Sequence, residues 1–213
     1  MTLRQHHKPV SATARKAELI SKASGWQGFF RMDVLTLRHT RHDGSMSPEI
    51  RREMFERGHA AAVLPYDPVR DEVLLIEQFR PGPLAAGDPD PWLVEIVAGM
   101  IDKEGESAEE VVRREAVEEA GITLGALEMI SDTYMTPGAC TERITAYCGL
   151  CDLSGAGGIF GLDSEHEDIR AFTCSVDDVE QALQLHQYRN AITVIALQWL
   201  LLNRTRLRSL PRG

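Results

Sequence analysis

The segment from Ser107 to Gly121, SAEEVVRREAVEEAG, is the feature that most limits how this chain can fold. Ser107 suits the N-cap position of a helix, and Glu110 follows three residues later, as in a capping box. Gly121 suits the C-terminal end, and the valines and alanines between recur at helical spacing. The sequence therefore predicts a capped helix that packs one face on a core.

The same region is strongly acidic, with seven glutamates and two arginines from Glu104 to Gly121. Like charges one turn apart weaken a helix by about 0.2–0.5 kcal/mol per pair, and a solvated acidic face is the common interpretation of such a run. The alternative is a cation site. Glu115 and Glu119 are four residues apart and share a face, Glu118 lies beside them, and carboxylate oxygens suit Mg²⁺ or Mn²⁺. Arg114 is placed to orient a neighbouring carboxylate.

An ordered pattern favours the cation site. Glu106, seven intervening residues and REAVEEAGI resemble the Nudix box, G-x5-E-x7-R-E-U-x-E-E-x-G-U with U aliphatic. One departure concerns the loop before the helix, where six residues rather than five separate Gly99 from Glu106. Either the turn carries one inserted residue, which Gly105 would absorb, or Met100 takes the glycine position.

Outside the box, the chain resembles the bacterial ADP-ribose pyrophosphatases of the Nudix family over about residues 25–203. Pro137, fifteen residues after Ile122, matches a marker of that subfamily, as do VEIVAGMI and GLDSEHEDI. The resemblance implies Mg²⁺-dependent hydrolysis of ADP-ribose to AMP and ribose 5-phosphate by a homodimer, with Mn²⁺ as a substitute metal. The alternatives are a hydrolase of another nucleoside diphosphate sugar, such as a UDP- or GDP-sugar, and a sensor that binds ADP-ribose without hydrolysis.

The resemblance also implies site residues. The metal ligands would be Glu115, Glu119, Glu118, Glu106, Glu167 and the carbonyl of Ala98. Glu165, on a long acidic loop, would be the general base, with Glu167 as the second candidate. The resemblance also implies that Arg114, Glu115 and Glu119 take part in catalysis.

Arg80, at the end of IEQFR, suits a diphosphate because a guanidinium binds phosphate oxygens bidentately, although a surface arginine at a strand end is the alternative. By resemblance, an aromatic stack and polar contacts to adenine come from an N-terminal lobe exchanged between subunits. The other candidate substrate-binding residues are Phe29, Phe30, Arg51, Arg52, Glu142 and Met100. The alternative for either phenylalanine is a place in the core.

The hydrophobic periodicity predicts strands, helices and loops in the order of a mixed α+β protein. Strands are predicted within 28–44, 59–67, 71–82, 93–101, 127–136, 143–153 and 169–176. Helices are predicted within 47–58, 107–121, 175–187 and 190–204, although FERG at 55–58 could instead enter a strand. Loops are predicted at 83–92 and 154–168, and a polar leader before residue 28. Together with the resemblance, this predicts an α/β/α sandwich of the Nudix type at 58–213 and a small β-rich lobe at 1–57.

Composition excludes several classes of partner. A formal net charge of −9 disfavours nucleic acid and anionic membranes, both of which attract basic surfaces. No apolar run approaches the roughly 20 residues needed to span a bilayer, and no secretory signal is evident, which predicts a cytoplasmic location. Four cysteines are too few for a disulfide scaffold, and we interpret the CGLC motif at 148–151 as structural.

Overall fold

The computed structural model describes residues 15–209, so the first 14 residues of the predicted lobe and the last four of the chain lie outside it. By their internal contacts, the described residues form two compact units. The first contains the residues up to Arg57 together with Thr136–Glu142, and the second contains Gly58–Met135 and the residues from Arg143 onward. The sequence did not indicate that Thr136–Glu142 belong with the first unit.

The first unit is an antiparallel sheet formed, in the described chain, by strands β1 (Ala17–Gln27), β2 (Arg31–His39) and β3 (Ile50–Glu56) in that order. Phe55 also forms a parallel bridge to Cys140. The predicted strand within 28–44 is confirmed as β2.

The helix predicted within 47–58 is wrong, because this segment contains β3. Each residue from Ile50 to Glu56 pairs with a residue of β2. Ser47 does not cap a helix: its hydroxyl accepts a hydrogen bond from His39 N at 3.0 Å and thereby closes the turn between β2 and β3. The local Ser-Pro signal was therefore overridden by cross-strand pairing, which a helix would forfeit.

The polar leader is also corrected, because its last part forms β1. Every residue of β1 is exposed, so the strand shows no alternation of buried and exposed positions. Sequence periodicity detects a strand through the side chains that it buries, and β1 buries none in this chain.

The second unit is a mixed sheet sandwiched between helices, which confirms the predicted α+β fold class. Its described strands are β4 (Ala60–Asp67), β5 (Glu72–Phe79), β6 (Trp92–Glu95), β7 (Val97–Met100), β8 (Leu127–Tyr134), β9 (Arg143–Leu150), β10 (Gly158–Phe160) and β11 (Ile169–Ser175). Its described helices are α1 (Pro81–Ala85), α2 (Ala108–Ala120), α3 (Val176–Gln184) and α4 (Ala191–Arg208). The main strand order is β10-β11-β5-β4-β9-β8, with β4 and β9 parallel.

The central strand β4 is covered on both faces of the sheet, and all its residues are therefore buried. Leu64 and Tyr66 belong to the core cluster that includes residues of α3 and α4, whereas Ala61 and Val63 belong to the cluster that includes α2. Strands covered on both faces read as continuous apolar runs, as AAAVLPYD does.

Three connections differ from the predicted loops and strands. The segment 93–101 forms β6 and β7, broken at Ile96, because β6 pairs with β5 and β7 pairs with β4. Helix α1 takes up the last two residues of the strand predicted within 71–82 and the first three of the loop predicted at 83–92. The predicted loop 154–168 contains β10 and a 3₁₀ turn at Asp163–Glu165.

The cysteines agree with the structural interpretation. All four are free thiols. Cys148 is buried in the cluster of α3 and α4, whereas Cys151 packs against the cluster of α2. Among residues 15–209, none of the helices is both long and apolar enough to cross a lipid bilayer.

Asp71 ties the end of α4 to the turn between β4 and β5. Its backbone has a positive φ of 59°, and its carboxylate accepts hydrogen bonds from Tyr66 Oη at 2.7 Å, Arg204 Nε at 2.9 Å and Arg208 Nη1 at 2.8 Å. Burial raises the pKa of Asp71, but the hydrogen bonds from Arg204 and Tyr66 outweigh burial and hold the pKa below its usual value. The folded protein therefore favours the charged form of Asp71.

We expect Asp71→Asn to lower the free energy of unfolding at pH 7 by about 1–3 kcal/mol, because it removes the charge but keeps a residue that tolerates positive φ. The contribution of Asp71 is fully present above its unfolded pKa of about 3.9 and is lost as the pH falls through the lower folded pKa. Urea unfolding from pH 7 to about pH 2 should therefore show the difference between wild type and variant shrinking.

The matched control is Asp177→Asn, because Asp177 pairs with the same Arg204 at 2.7 Å but is exposed. We expect it to change the free energy of unfolding by less than about 0.5 kcal/mol. A cost for Asp71→Asn that stays constant over the whole pH range would contradict the ionic origin.

Candidate active site

The acidic helix α2 is fixed at both ends as predicted. Ser107 Oγ accepts a hydrogen bond from Glu110 N at 3.3 Å, and Glu110 Oε2 accepts one from Ser107 N at 2.8 Å, which completes the capping box. Gly121 ends the helix with a φ of 64°, and its Cα lies so close to Phe160 that a Cβ would meet the ring at 2.6 Å. The two ends fix where the helix begins and stops, and its buried residues Val111, Val112 and Ala116 set which face packs on the core.

Glu119 is the most buried carboxylate of this face, with 3% of its surface exposed. Its Oε2 accepts a hydrogen bond from Ala98 N at 3.2 Å. Burial and the neighbouring charge of Glu115 raise the pKa of Glu119 to about 8. Burial also raises the pKa of Glu115. The face thus holds two carboxylates whose negative charges are poorly solvated.

Arg114 gathers the other carboxylates of the box. Its Nε donates to Glu106 Oε1 at 3.1 Å, and its Nη1 donates to Glu115 Oε1 at 2.6 Å and to Glu118 Oε2 at 3.0 Å. The hydrogen bond to Arg114 is the main cause that lowers the pKa of Glu106. Arg114 therefore links Glu106 in the loop to two glutamates of the helix.

The structure places Gly99, rather than Met100, at the position of the first glycine of the box. A Cβ at this position would overlap the Glu115 carboxylate. Gly99, rather than Met100, thus allows β7 to approach the helix, and Met100 ends β7 opposite Ala60. The longer loop is closed by a turn in which Glu106 N donates to Lys103 O at 3.1 Å and Gly105 has a φ of 81°.

The chemistry of this donor set fits a hard divalent cation. The carboxylates of Glu115 and Glu119 adjoin the backbone of Ala98 and Gly99, and a cation would offset the charge that raises the pKa of Glu119. Among residues 15–209, no group of three or more His, Cys, Asp and Glu side chains is already arranged around a cation position. In the structure, Glu106, Glu115 and Glu118 instead form ion pairs with Arg114.

The loop after β10 is attached to the end of α2. Phe160 packs against Gly121, and Gly161 N donates to Glu118 O at 3.3 Å. These contacts fix the start of the loop that carries the two acidic candidates.

The two candidates differ in their surroundings. Glu167 accepts a hydrogen bond from Leu162 N at 3.1 Å, and its charge contributes to the raised pKa values of Glu115 and Glu119. Glu165 ends the 3₁₀ turn and is exposed. Glu167 thus lies against Gly161, the residue that is hydrogen-bonded to α2, whereas Glu165 is exposed to solvent.

Arg80 is the N-cap residue of α1, and its charge acts against the rise in the pKa of Glu119. Its guanidinium donates to Glu95 Oε2 from Nε at 3.0 Å and from Nη2 at 2.7 Å. Sequence reasoning missed Glu95, because a strand glutamate gives no sign of its partner until β5 and β6 pair.

The remaining candidates belong to the first unit. Phe29 is 88% exposed, and Phe30 packs edge-on against it and against Phe55. Arg51 and Arg52 are exposed on β3.

Glu142 is buried and pairs with Arg57 Nη1 at 2.8 Å. The guanidinium of Arg57 lies 5.5 Å from the centre of the Phe30 ring. Arg57 was missed by sequence reasoning, which had no signal that it joins Phe30 and Glu142.

Comparison with known proteins agrees with this geometry. The model of the NUDIX domain matches residues 56–194. A protein of Escherichia coli strain K12 named ADP-ribose pyrophosphatase is 45% identical over 209 residues, which covers 97% of this chain and 98% of the relative. One of Haemophilus influenzae with the same name is 38% identical over 87% of this chain and 86% of its own length.

More distant relatives have another name. A protein of Cronobacter sakazakii named GDP-mannose pyrophosphatase is 32% identical over 86% of this chain and 94% of its own length. A solved structure described as an ADP compounds hydrolase has the same fold, with a TM-score of 0.70 at 19% identity over 93% of this chain and all of that one. The family model covers most of the chain and the box residues converge on one face of α2, so this chain belongs to the Nudix family.

Proposed function

We propose that this protein hydrolyses the diphosphate of ADP-ribose to AMP and ribose 5-phosphate in the presence of Mg²⁺, for which Mn²⁺ can substitute. The observation that carries the proposal is the burial of the Glu119 carboxylate beside Glu115 and the backbone of Ala98, a set that calls for a divalent cation. The substrate is supported by the Escherichia coli and Haemophilus influenzae relatives and their names.

The chain's oxygen donors would hold the metal. The proposed ligands are the carboxylates of Glu115, Glu119, Glu118, Glu106 and Glu167 and the carbonyl of Ala98. Bound there, a metal would neutralise phosphate charge and would make water easier to deprotonate. Arg114 orients Glu106, Glu115 and Glu118 through its fork of donors.

Two further groups act on the substrate in this proposal. Arg80 pairs with the diphosphate, and Glu165 accepts the proton of the attacking water. The water oxygen bonds to one phosphorus as the bond from that phosphorus to the bridging oxygen breaks. Glu167 is the second candidate base, and the contribution of its charge to the raised pKa values of Glu115 and Glu119 supports a role beside the metal instead.

The nucleoside and the terminal ribose need other contacts. We propose Phe29 or Phe30 as the aromatic stack for adenine, Arg51 or Arg52 as its polar contacts, and Glu142 and Met100 as further substrate-binding residues. Phe29 is well suited because its ring is exposed. We further propose a cytoplasmic homodimer that exchanges its N-terminal lobe and binds neither nucleic acid nor membrane.

A hydrolase of GDP-mannose is the second candidate, and the Cronobacter sakazakii relative is the observation that favours it. The chemistry at α2 would be identical, and the pocket for the base and sugar would differ.

The products separate the two candidates. We expect AMP release from ADP-ribose with Mg²⁺ to exceed GMP release from GDP-mannose in kcat/KM, measured by chromatography of the nucleotides. Faster GMP or UMP release would contradict the substrate.

Glu119→Gln should lower kcat at least about 100-fold because it removes a charged metal ligand, whereas Glu109→Gln, on the exposed part of the same helix, should leave kcat unchanged.

Gly99→Ala tests the geometry of the metal site. The added Cβ displaces the Glu115 carboxylate, so we expect the dissociation constant for Mn²⁺ alone to rise about tenfold or more in calorimetric titration. Gly82→Ala is the control, since a Cβ there meets nothing within 4 Å. Equal Mn²⁺ affinity in both variants would show that Glu115 is not a ligand.

Glu165→Gln and Glu167→Gln distinguish base from ligand. A general base contributes typically about 10²–10⁴-fold, so Glu165→Gln should lower kcat by about this factor and leave Mn²⁺ affinity unchanged. Glu167→Gln should weaken Mn²⁺ binding. The assignment of the base is reversed if Glu167→Gln lowers kcat without weakening Mn²⁺ binding and Glu165→Gln leaves kcat unchanged.

A further inference from the structure

Glu95 is the most connected buried carboxylate near Arg80. It is 3% exposed and ends β6. Its Oε2 accepts hydrogen bonds from Arg80 Nε at 3.0 Å, Arg80 Nη2 at 2.7 Å and Gln78 Nε2 at 3.3 Å, while its Oε1 accepts one from Asn190 Nδ2 at 2.8 Å. Both oxygens of the carboxylate are therefore occupied by named donors.

The arrangement holds one edge of the Arg80 guanidinium. Glu95 engages Nε and Nη2, which leaves Nη1 outside this pair, and the Arg80 side chain remains 40% exposed. A guanidinium presents its donors in a rigid plane, so fixing one edge also fixes the direction of the free edge. Glu95 thus orients Arg80 without covering it.

Asn190 in turn holds Glu95. It is the N-cap of α4, and its Oδ1 accepts a hydrogen bond from Thr193 N at 3.1 Å while its Nδ2 donates to Glu95. Thr193 Oγ1 accepts a hydrogen bond from Ile96 N at 3.1 Å. The first turn of α4 therefore fixes both Glu95 and the next residue, at the corner from which β7 leads to Ala98.

The helix that carries Asn190 is firmly anchored. Ile192, Ala196, Leu197 and Leu200 of α4 are buried in the core cluster on one face of the sheet. A rigid helix therefore supports Asn190, which supports Glu95, which supports Arg80. Long side chains lose rotamer freedom when they bind a ligand, and a pre-ordered arginine avoids that loss.

We propose that Glu95 is a positioning residue that presents Arg80 to the diphosphate of the substrate, and that Asn190 fixes Glu95 for this task. The inference rests on the proposed function, in which Arg80 pairs with the diphosphate. The alternative is a purely structural ion pair. Such a pair adds little net stability compared with a well-packed neutral pair at the same place.

A double-mutant cycle of Glu95→Gln and Arg80→Ala separates these roles. In the wild-type background, we expect Glu95→Gln to raise KM about tenfold and to change kcat less, because diphosphate pairing contributes to binding before the chemical step. In the Arg80→Ala background, Glu95→Gln should not lower kcat/KM further, because the residue through which it acts is gone. Steady-state kinetics with thermal melting of each variant provides the measurement.

Glu77→Gln is the matched control. Glu77 lies on the neighbouring strand β5, is partly exposed and pairs with Arg170 at 3.1 Å, so its neutralisation should leave KM unchanged. Equal losses from Glu95→Gln in both backgrounds, or no loss in the wild-type background, would overturn the positioning role.

Asn190→Ser keeps the inference testable if Glu95→Gln does not fold. Serine caps a helix as well as asparagine does but lacks the amide that reaches Glu95, so KM should rise about threefold while the melting temperature changes little. An unchanged KM for Asn190→Ser would count against the role of Asn190.

The inference and the proposed function fail in different ways. The cycle is run on whichever nucleoside diphosphate sugar the wild-type protein hydrolyses, so absence of ADP-ribose turnover contradicts the substrate alone. Conversely, an Arg80→Ala variant with unchanged kcat/KM overturns the positioning role of Glu95 even if Mg²⁺-dependent release of AMP is intact.

Discussion

Burial of the Glu119 carboxylate between α2 and β7 is the interaction on which the rest of the site depends. Moving a carboxylate out of water is costly unless it is hydrogen-bonded or paired with a cation. Here the hydrogen bond from Ala98 N offsets part of the cost, and the pKa near 8 shows that part remains. The fold maintains this arrangement because α2 is held in place by its caps and its buried valines. The core thus holds in place a carboxylate whose charged form is unfavourable without a cation.

Three arginines of the second unit form ion pairs with its carboxylates in different ways. Arg114 gathers Glu106, Glu115 and Glu118, Arg204 closes on the buried Asp71, and Arg80 is held by Glu95. Of these three arginines, Arg80 keeps the largest part of its side chain exposed, and its partner Glu95 is buried. That asymmetry supports the proposed pairing of Arg80 with the diphosphate.

The elements predicted well are those whose signals are local. Helix α2 was predicted within a residue at each end, because a capping box and a C-terminal glycine act over three or four residues. Strand β4 was predicted because burial on both faces makes its sequence continuously apolar. The segment 50–56 was assigned to a helix because Ser-Pro is a local signal, and its pairing with β2 is not. Strand β1 was missed because it buries nothing in this chain.

The sequence by itself determined the family, the acidic helix and the identity of its carboxylates, because spacing along one helix fixes which side chains share a face. Only the tertiary structure decided that Gly99 packs against Glu115, that Glu167 lies against Gly161 beside α2, and that Glu95 and Asn190 hold Arg80. These relations join residues on different strands, loops and helices. Their distances depend on how β5, β6, β7 and α4 pack together, and no spacing in the sequence encodes that.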